Sequence, residues 1–171
     1  LLNKKVIRTG WPMEYMEPIL EQYKGMEKHN LILFPHRIAP EKQIDIFRDL
    51  AKELPFKCIV CQDSELTKDE YHELLGTAKI VFSANLQETL GISCYEGTLV
   101  NTIPLVPDRL SYSEMYNEIY TYPSEWTRSF KHYIKHKKEL ISVITDIMDN
   151  YPIYLDSLID QTDDLLHFFH G

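Results

Sequence analysis

"KIVFSANLQETLGISCYEGTLVNTIPLV" occupies residues 79–106, and its reading decides the fold. It begins and ends in short apolar runs, "KIVFSA" (79–84) and "IPLV" (103–106). Runs of this length bounded by polar or turn residues read as buried strands. Between them, "GISCYEGTLV" (91–100) reads as a short helix. Gly91 stands at its start, and Asn101 follows it as a residue that tolerates the left-handed cap conformation. Strand, helix and strand within this span form one βαβ unit.

The same rhythm extends upstream. "LILF" (31–34), between Asn30 and Pro35, is a strand candidate, and so is "FKCIVC" (56–61). Pro40 sits where a first helical position is expected. Ile44, Phe47, Leu50, Ala51 and Leu54 then recur at helical spacing until Pro55 stops the run. In "LTKDEYHELLGT" (66–77), Thr67 is the expected N-cap, Glu70 its capping-box partner and Gly76 the end of the helix. Alternating β and α with apolar strands near 31–34, 57–61, 79–83 and 103–106 predicts an α/β, Rossmann-like parallel sheet with helices on both faces. Downstream, residues 124–150 and 152–170 read as two C-terminal helices, the first starting at Ser124 or Thr127. The expected division is a lead-in over 1–30, a Rossmann-like core over 31–122 and C-terminal helices over 123–171.

Composition narrows the function. The chain has 171 residues, 44% of them hydrophobic, and a formal net charge of −8. That charge argues against a nucleic-acid footprint spread over the chain and predicts that any basic surface for phosphates lies in another domain. No apolar run approaches the ~20 residues of a membrane span. "LLNKKVIRTG" (1–10) lacks the features of a signal peptide, and three cysteines fit a reducing compartment, so a cytoplasmic location is expected. Cys58 and Cys61 read as positions on opposite faces of a strand rather than as a metal or redox pair. His132 and His136, four residues apart among lysines, read as a solvated helix face. No metal is expected.

The polar residues that stand out each follow a predicted strand. Ligands of parallel α/β sheets bind beyond the carboxyl ends of the strands. After 31–34 come Arg37 and Lys42, a planar fork and a point charge beside a helix start, suited to a diphosphate. After 79–84 come Glu88 and Glu96, with seven residues between them. Gly91 breaks the helix between the two acids, so they do not share one continuous face. Glu96, on the helix, tilts back toward its N-terminus and suits a ribose diol. Glu88 lies nearer the phosphate end.

Together, "RIAPEK" (37–42) and "ETLGISCYEGTLVNTIPLV" (88–106) resemble the carboxyl-terminal, donor-binding domain of retaining glycosyltransferases of the GT-B type. That large family includes sucrose synthases, sucrose-phosphate synthases and many bacterial α-glycosyltransferases. The resemblance covers about residues 5–120. It implies that Arg37 and Lys42 hold the diphosphate and stabilise leaving-group charge. It implies that Glu88 faces the donor sugar and Glu96 the ribose, with Thr89, Leu90, Gly91 and Ile92 lining the donor. The implied donor is a UDP- or GDP-sugar, with no separate cofactor. The implied partner is an acceptor domain that precedes this one, and "VIRTGWPMEYM" (6–16) looks like the end of the connection to it. "PDRLSYSEMY" (107–116) is similar to a subgroup acting on tRNA nucleosides and to viral nucleic-acid glycosyltransferases, which extends the implied acceptor to nucleic acid. The chain departs from the family at Phe34-Pro35-His36, where a glycine is usual, and at Gln62-Asp63-Ser64, where a Gly-rich turn is common. Two other readings fit the same motifs: half of a sugar-nucleotide 2-epimerase, or a non-catalytic nucleotide-sugar-binding module.

Overall fold

The computed structural model describes residues 13–170, with side chains through residue 162. The part of the expected interdomain connection that falls on residues 1–12 lies outside the described residues. Helix α1 (Met16–Leu20) leads in, followed by strand β1 (His29–Phe34), helix α2 (Ile44–Glu53) and strand β2 (Lys57–Val60). Helix α3 (Lys68–Thr77), strand β3 (Ala78–Phe82), helix α4 (Ile92–Leu99) and strand β4 (Ile103–Pro107) continue the alternation. A short α5 (Tyr112–Met115), a two-residue β5 (Thr121–Tyr122) and the long helices α6 (Phe130–Asp149) and α7 (Tyr151–His170) complete the order.

The sheet is five-stranded in the order β2-β1-β3-β4-β5, and every neighbouring pair is parallel. The four strands expected from apolar runs are therefore present and pair as expected. Ile32, Leu33, Phe34, Ile80, Val81, Phe82, Leu105 and Val106 are fully buried, as strands covered on both faces must be. Below them, at the start of β1, Lys28 donates from Nζ to the carbonyls of Ala78 (2.9 Å) and Val100 (2.7 Å) and to Thr102 Oγ1 (2.8 Å). One ammonium thus ties the feet of three elements together.

Three boundaries differ from the expected ones. Pro40–Lys42 form a 3-10 turn, and α2 begins only at Ile44, after Gln43 adopts a left-handed conformation (φ 53°). The cause is tertiary: the Gln43 amide donates to the carbonyls of Ala84 (2.7 Å) and Thr127 (2.6 Å). Gly76 is inside α3 rather than at its cap. A Cβ there would lie 2.8 Å from the carbonyl oxygen of Tyr23, so the glycine permits close approach of the lead-in. The capping box of Thr67 and Glu70 is formed as expected. Finally, α6 starts at Phe130 with Ser129 as its cap, not at Ser124 or Thr127, which belong to a 3-10 turn.

Helix α6 is joined to the sheet by a run of rings. Phe34, Phe47, Phe82, Tyr122, Trp126 and His136 follow one another with centroid separations of 5.3, 5.8, 6.1, 6.3 and 5.9 Å. His136 is therefore a packing residue, and no cluster of metal-ligating side chains occurs among the described residues. No helix among them is long and apolar enough to cross a membrane.

Candidate functional site

Parallel pairing delivers the loops after β1, β2, β3 and β4 to one edge of the sheet. The loop after β1 begins with Pro35 and His36. His36 is buried, and its Nε2–H donates to the carbonyl of Phe82 (3.0 Å). That fixes Nδ1 as an acceptor, and it faces Asn85 Nδ2 at 3.5 Å. Burial, reinforced by the Lys42 charge, pushes the His36 imidazole down to about 4, so the ring is neutral at physiological pH. Arg37 projects from the loop, with a side chain 72% exposed, and pairs with Glu41 four residues along the chain.

The loops after β1 and β3 are stitched together. The Leu86 amide donates to the Glu41 carbonyl at 2.7 Å. Lys42, largely buried, sends Nζ to the Gln87 carbonyl (2.9 Å) and to Oε2 of Glu88 (3.1 Å). An ammonium carries three donors, so one remains for a further anion. Glu88 Oε2 also accepts from Asn85 Nδ2 (3.0 Å), and Oε1 accepts from the Thr89 amide (3.0 Å). Burial pushes the Glu88 carboxyl up, but Lys42 and the amides of Thr89 and Gly91 outweigh it and hold the group below its usual value. Glu88 is a fixed carboxylate.

Beneath it lies a polar network that sequence reading missed. Asn85 is fully buried, and its Nδ2 also reaches the Tyr112 hydroxyl (3.2 Å), which bonds Ser83 Oγ (3.1 Å). Arg109 holds the same loop from behind: its guanidinium donates to the carbonyls of Asn85 (2.7 Å), Ala84 (2.9 Å) and Ser124 (2.8 Å) and to Thr127 Oγ1 (3.0 Å). The available signal for His36 was the departure from glycine at that position. For Asn85 it was an uncharged polar residue directly after an apolar strand.

Gly91 adopts φ 64° and caps α4. A Cβ there would lie 2.6 Å from the Tyr112 ring, so both its backbone and its surroundings require glycine. Glu88 lies before this break and Glu96 within α4, as the spacing predicts. Leu90 packs against the core, while Ile92 is exposed. Glu96 lies on a cleft of about 550 Å³ whose walls include Pro35, Gln62, Ser64, Tyr71 and Ser93. The Tyr71 hydroxyl donates to Glu96 Oε2 at 3.1 Å. Burial raises the Glu96 carboxyl, offset in part by Tyr71 and the Lys68 charge. Burial also pushes the Cys61 thiol on the cleft wall up to about 11, so it stays protonated.

The structure thus brings Lys42 and Glu88 into contact and sets Glu96 on the cleft. It leaves Arg37 on Glu41, outside the hydrogen-bonded cluster.

No family model and no curated protein matches the chain. Its fold is similar to the crystal structure of TarM, with a TM-score of 0.61 at 12% identity, over 85% of this chain and 33% of that one. At this identity the likeness shows the fold alone. The chain spans about one third of the length of TarM.

Proposed function

We propose that this chain is the donor-binding half of a glycosyltransferase, holding a nucleoside-diphosphate sugar along the carboxyl edge of its sheet. The observation that carries this reading is the separation of two environments by Gly91. On one side is a carboxylate fixed beside a lysine with a free donor; on the other, a carboxylate on an open cleft. A sugar nucleotide has matching parts, an anionic diphosphate and a ribose diol. The fold that this chain shares with TarM is consistent with this reading, and the motifs in "RIAPEK" and "ETLGISCYE" support it.

In this reading the third N–H of Lys42 and the free amides at the start of α4 meet the diphosphate. Arg37 exchanges Glu41 for a phosphate oxygen, as an exposed fork can do at small cost. Glu96 accepts hydrogen bonds from the ribose hydroxyls. Glu88, already ionised, orients sugar hydroxyls beside the anomeric carbon. Thr89, Leu90, Gly91 and Ile92 form the turn over which the donor passes. Lys42 and Arg37 stabilise the charge that develops on the leaving diphosphate. Transfer with retention follows from attack on the face the diphosphate leaves, with a diphosphate oxygen taking the acceptor's proton. The acceptor, which we propose to be a nucleic acid, is presented by a preceding domain.

Calorimetric titration with a nucleoside diphosphate and with its sugar conjugate tests this reading. Binding that is lost in Lys42→Ala and weakened in Glu96→Gln is the expected result. Equal binding by both variants and the parent would overturn it.

A further inference from the structure

The first turns of α6 carry a second feature that the donor site does not use. On a helix of 100° per residue, Phe130, Ile134, Lys138, Lys131 and Lys135 fall on one face spanning about 140°. All five are exposed, Phe130 at 44% and Ile134 at 51%. The opposite face, with Tyr133, Leu140, Ile144 and Ile147, is buried. Arg128, just before the helix, is exposed too. Lys131, Lys135 and Lys138 form no ion pair among the described residues, while Lys137, turned toward α2, takes both Asp49 and Glu53. The first turn holds no acid.

This placement runs against local stability. Lys131, in the first turn of α6, opposes the positive end of the macrodipole. In a chain of net charge −8, an unpaired basic face with an exposed aromatic ring is a local exception, and such exceptions concentrate at functional sites.

We propose that this face of α6 docks the sugar–phosphate backbone of a single-stranded nucleic acid. This rests on the reading of the acceptor given above and differs from the expectation that basic surface lies in another domain. Lys131, Lys135 and Lys138 are spaced about 6 and 4.5 Å along the helix axis, comparable to successive phosphates of a nucleic-acid strand. Phe130 supplies a ring on which a base can stack. An anionic membrane fits less well: the core already takes the apolar side of α6, leaving two apolar side chains to insert, whereas interfacial helices bury a whole face. The face also leads to the donor site. Thr127, three residues before Phe130, accepts from Gln43, the neighbour of Lys42.

The test is anisotropy of a labelled twelve-nucleotide DNA and RNA strand with the full chain, across a salt series. Three phosphate contacts give a slope of log K against log salt of about −2 for a single strand. Replacing Lys131, Lys135 and Lys138 together by alanine should weaken binding about tenfold or more at low salt, and Phe130→Ser should weaken it further. Replacing the exposed Lys24, Lys52 and Lys57 by alanine should change it far less. Nucleoside diphosphate titration of the same variants should be unchanged, which separates docking from donor binding. Unaltered oligonucleotide affinity in the α6 variant overturns the proposal, as does capture by phosphatidylglycerol vesicles without any oligonucleotide binding. Nucleoside diphosphate binding with no oligonucleotide binding overturns the docking while leaving the donor reading intact. Oligonucleotide binding sensitive to α6, in a chain that ignores nucleoside diphosphates, supports the docking and removes the donor reading.

Discussion

Lys42 Nζ lies 3.1 Å from Glu88 Oε2, across 46 residues of chain, with both side chains mostly shielded from water. The pair joins the loop after β1 to the loop after β3, and the Lys42 ammonium favours the charged form of Glu88. Lys42→Met leaves a half-buried carboxylate without its cation. The expected results are a loss of about 1–3 kcal/mol of stability and a rise in the Glu88 pKa. Denaturant midpoints and a carboxyl-resolved NMR titration measure the two.

Glu88 and Glu96 should separate by ligand. Glu96→Gln is expected to weaken nucleoside diphosphate and sugar nucleotide alike, by about 1–3 kcal/mol, the range for a hydrogen bond to a charged group. Glu88→Gln should leave the free nucleotide closer to the parent and penalise the intact donor. Paired calorimetry shows the pattern, and identical losses for both ligands in both variants would contradict the division of roles.

The raised Glu96 carboxyl gives that binding a pH dependence. Only the ionised group accepts both ribose hydroxyls. Affinity is therefore present above the folded pKa, which burial lifts above the ordinary carboxyl value of 4.5, and falls as pH drops through it. Tyr71→Phe removes a hydrogen bond that favours the charged form, so it should move the loss of affinity to higher pH. An unmoved profile would show that Tyr71 does not hold the carboxylate.

His36 makes stability pH-dependent in the acid range. Its folded pKa is depressed from 6.5 to about 4 by burial, so the unfolded chain takes up the proton first. The contribution is fully present above about 6.5 and is lost as pH falls toward about 4, at most roughly 3 kcal/mol. His36→Gln keeps a donor but cannot titrate. Denaturation curves at pH 7 and pH 4.5 should lie closer together for this variant than for the parent.

Gly91→Ala should cost at least about 1–2 kcal/mol from its left-handed backbone alone. The added Cβ also displaces the buried Tyr112, which is bonded to Asn85. Stability and diphosphate affinity should therefore fall together, and a thermal melt with a parallel titration would show it.

Strands β1, β3 and β4 were legible because their apolar runs are buried, and the edge strand β2 because its Cys-Ile-Val run keeps the apolar pattern although Lys57 is exposed. Asn101 was legible as a left-handed position because Asn accepts that conformation at low cost, and Gly91 was legible as the break before α4; both have positive φ. The placement of Glu88 and Glu96 on either side of a helix start followed from the same glycine. Gln43 was not legible. Glutamine has no left-handed preference, and its conformation is held by carbonyls 41 and 84 residues away. Nor were the starts of α2 and α6, since the 3-10 turns before them depend on the same long-range bonds. The burial of Asn85 and His36 depends on side chains that converge only in three dimensions.

The guanidinium of Arg109 bridges the β3 loop and the turn before α6 through carbonyls that cannot separate without abandoning several hydrogen bonds at once. A ligand arriving at Glu88 therefore meets a surface already in its final shape. Little chain freedom is surrendered on association, and stopped-flow mixing should register a single concentration-dependent phase with no slow isomerisation behind it. Arg109→Lys would trade that rigidity for a loop that must be ordered anew at each encounter, and a second, concentration-independent phase would emerge.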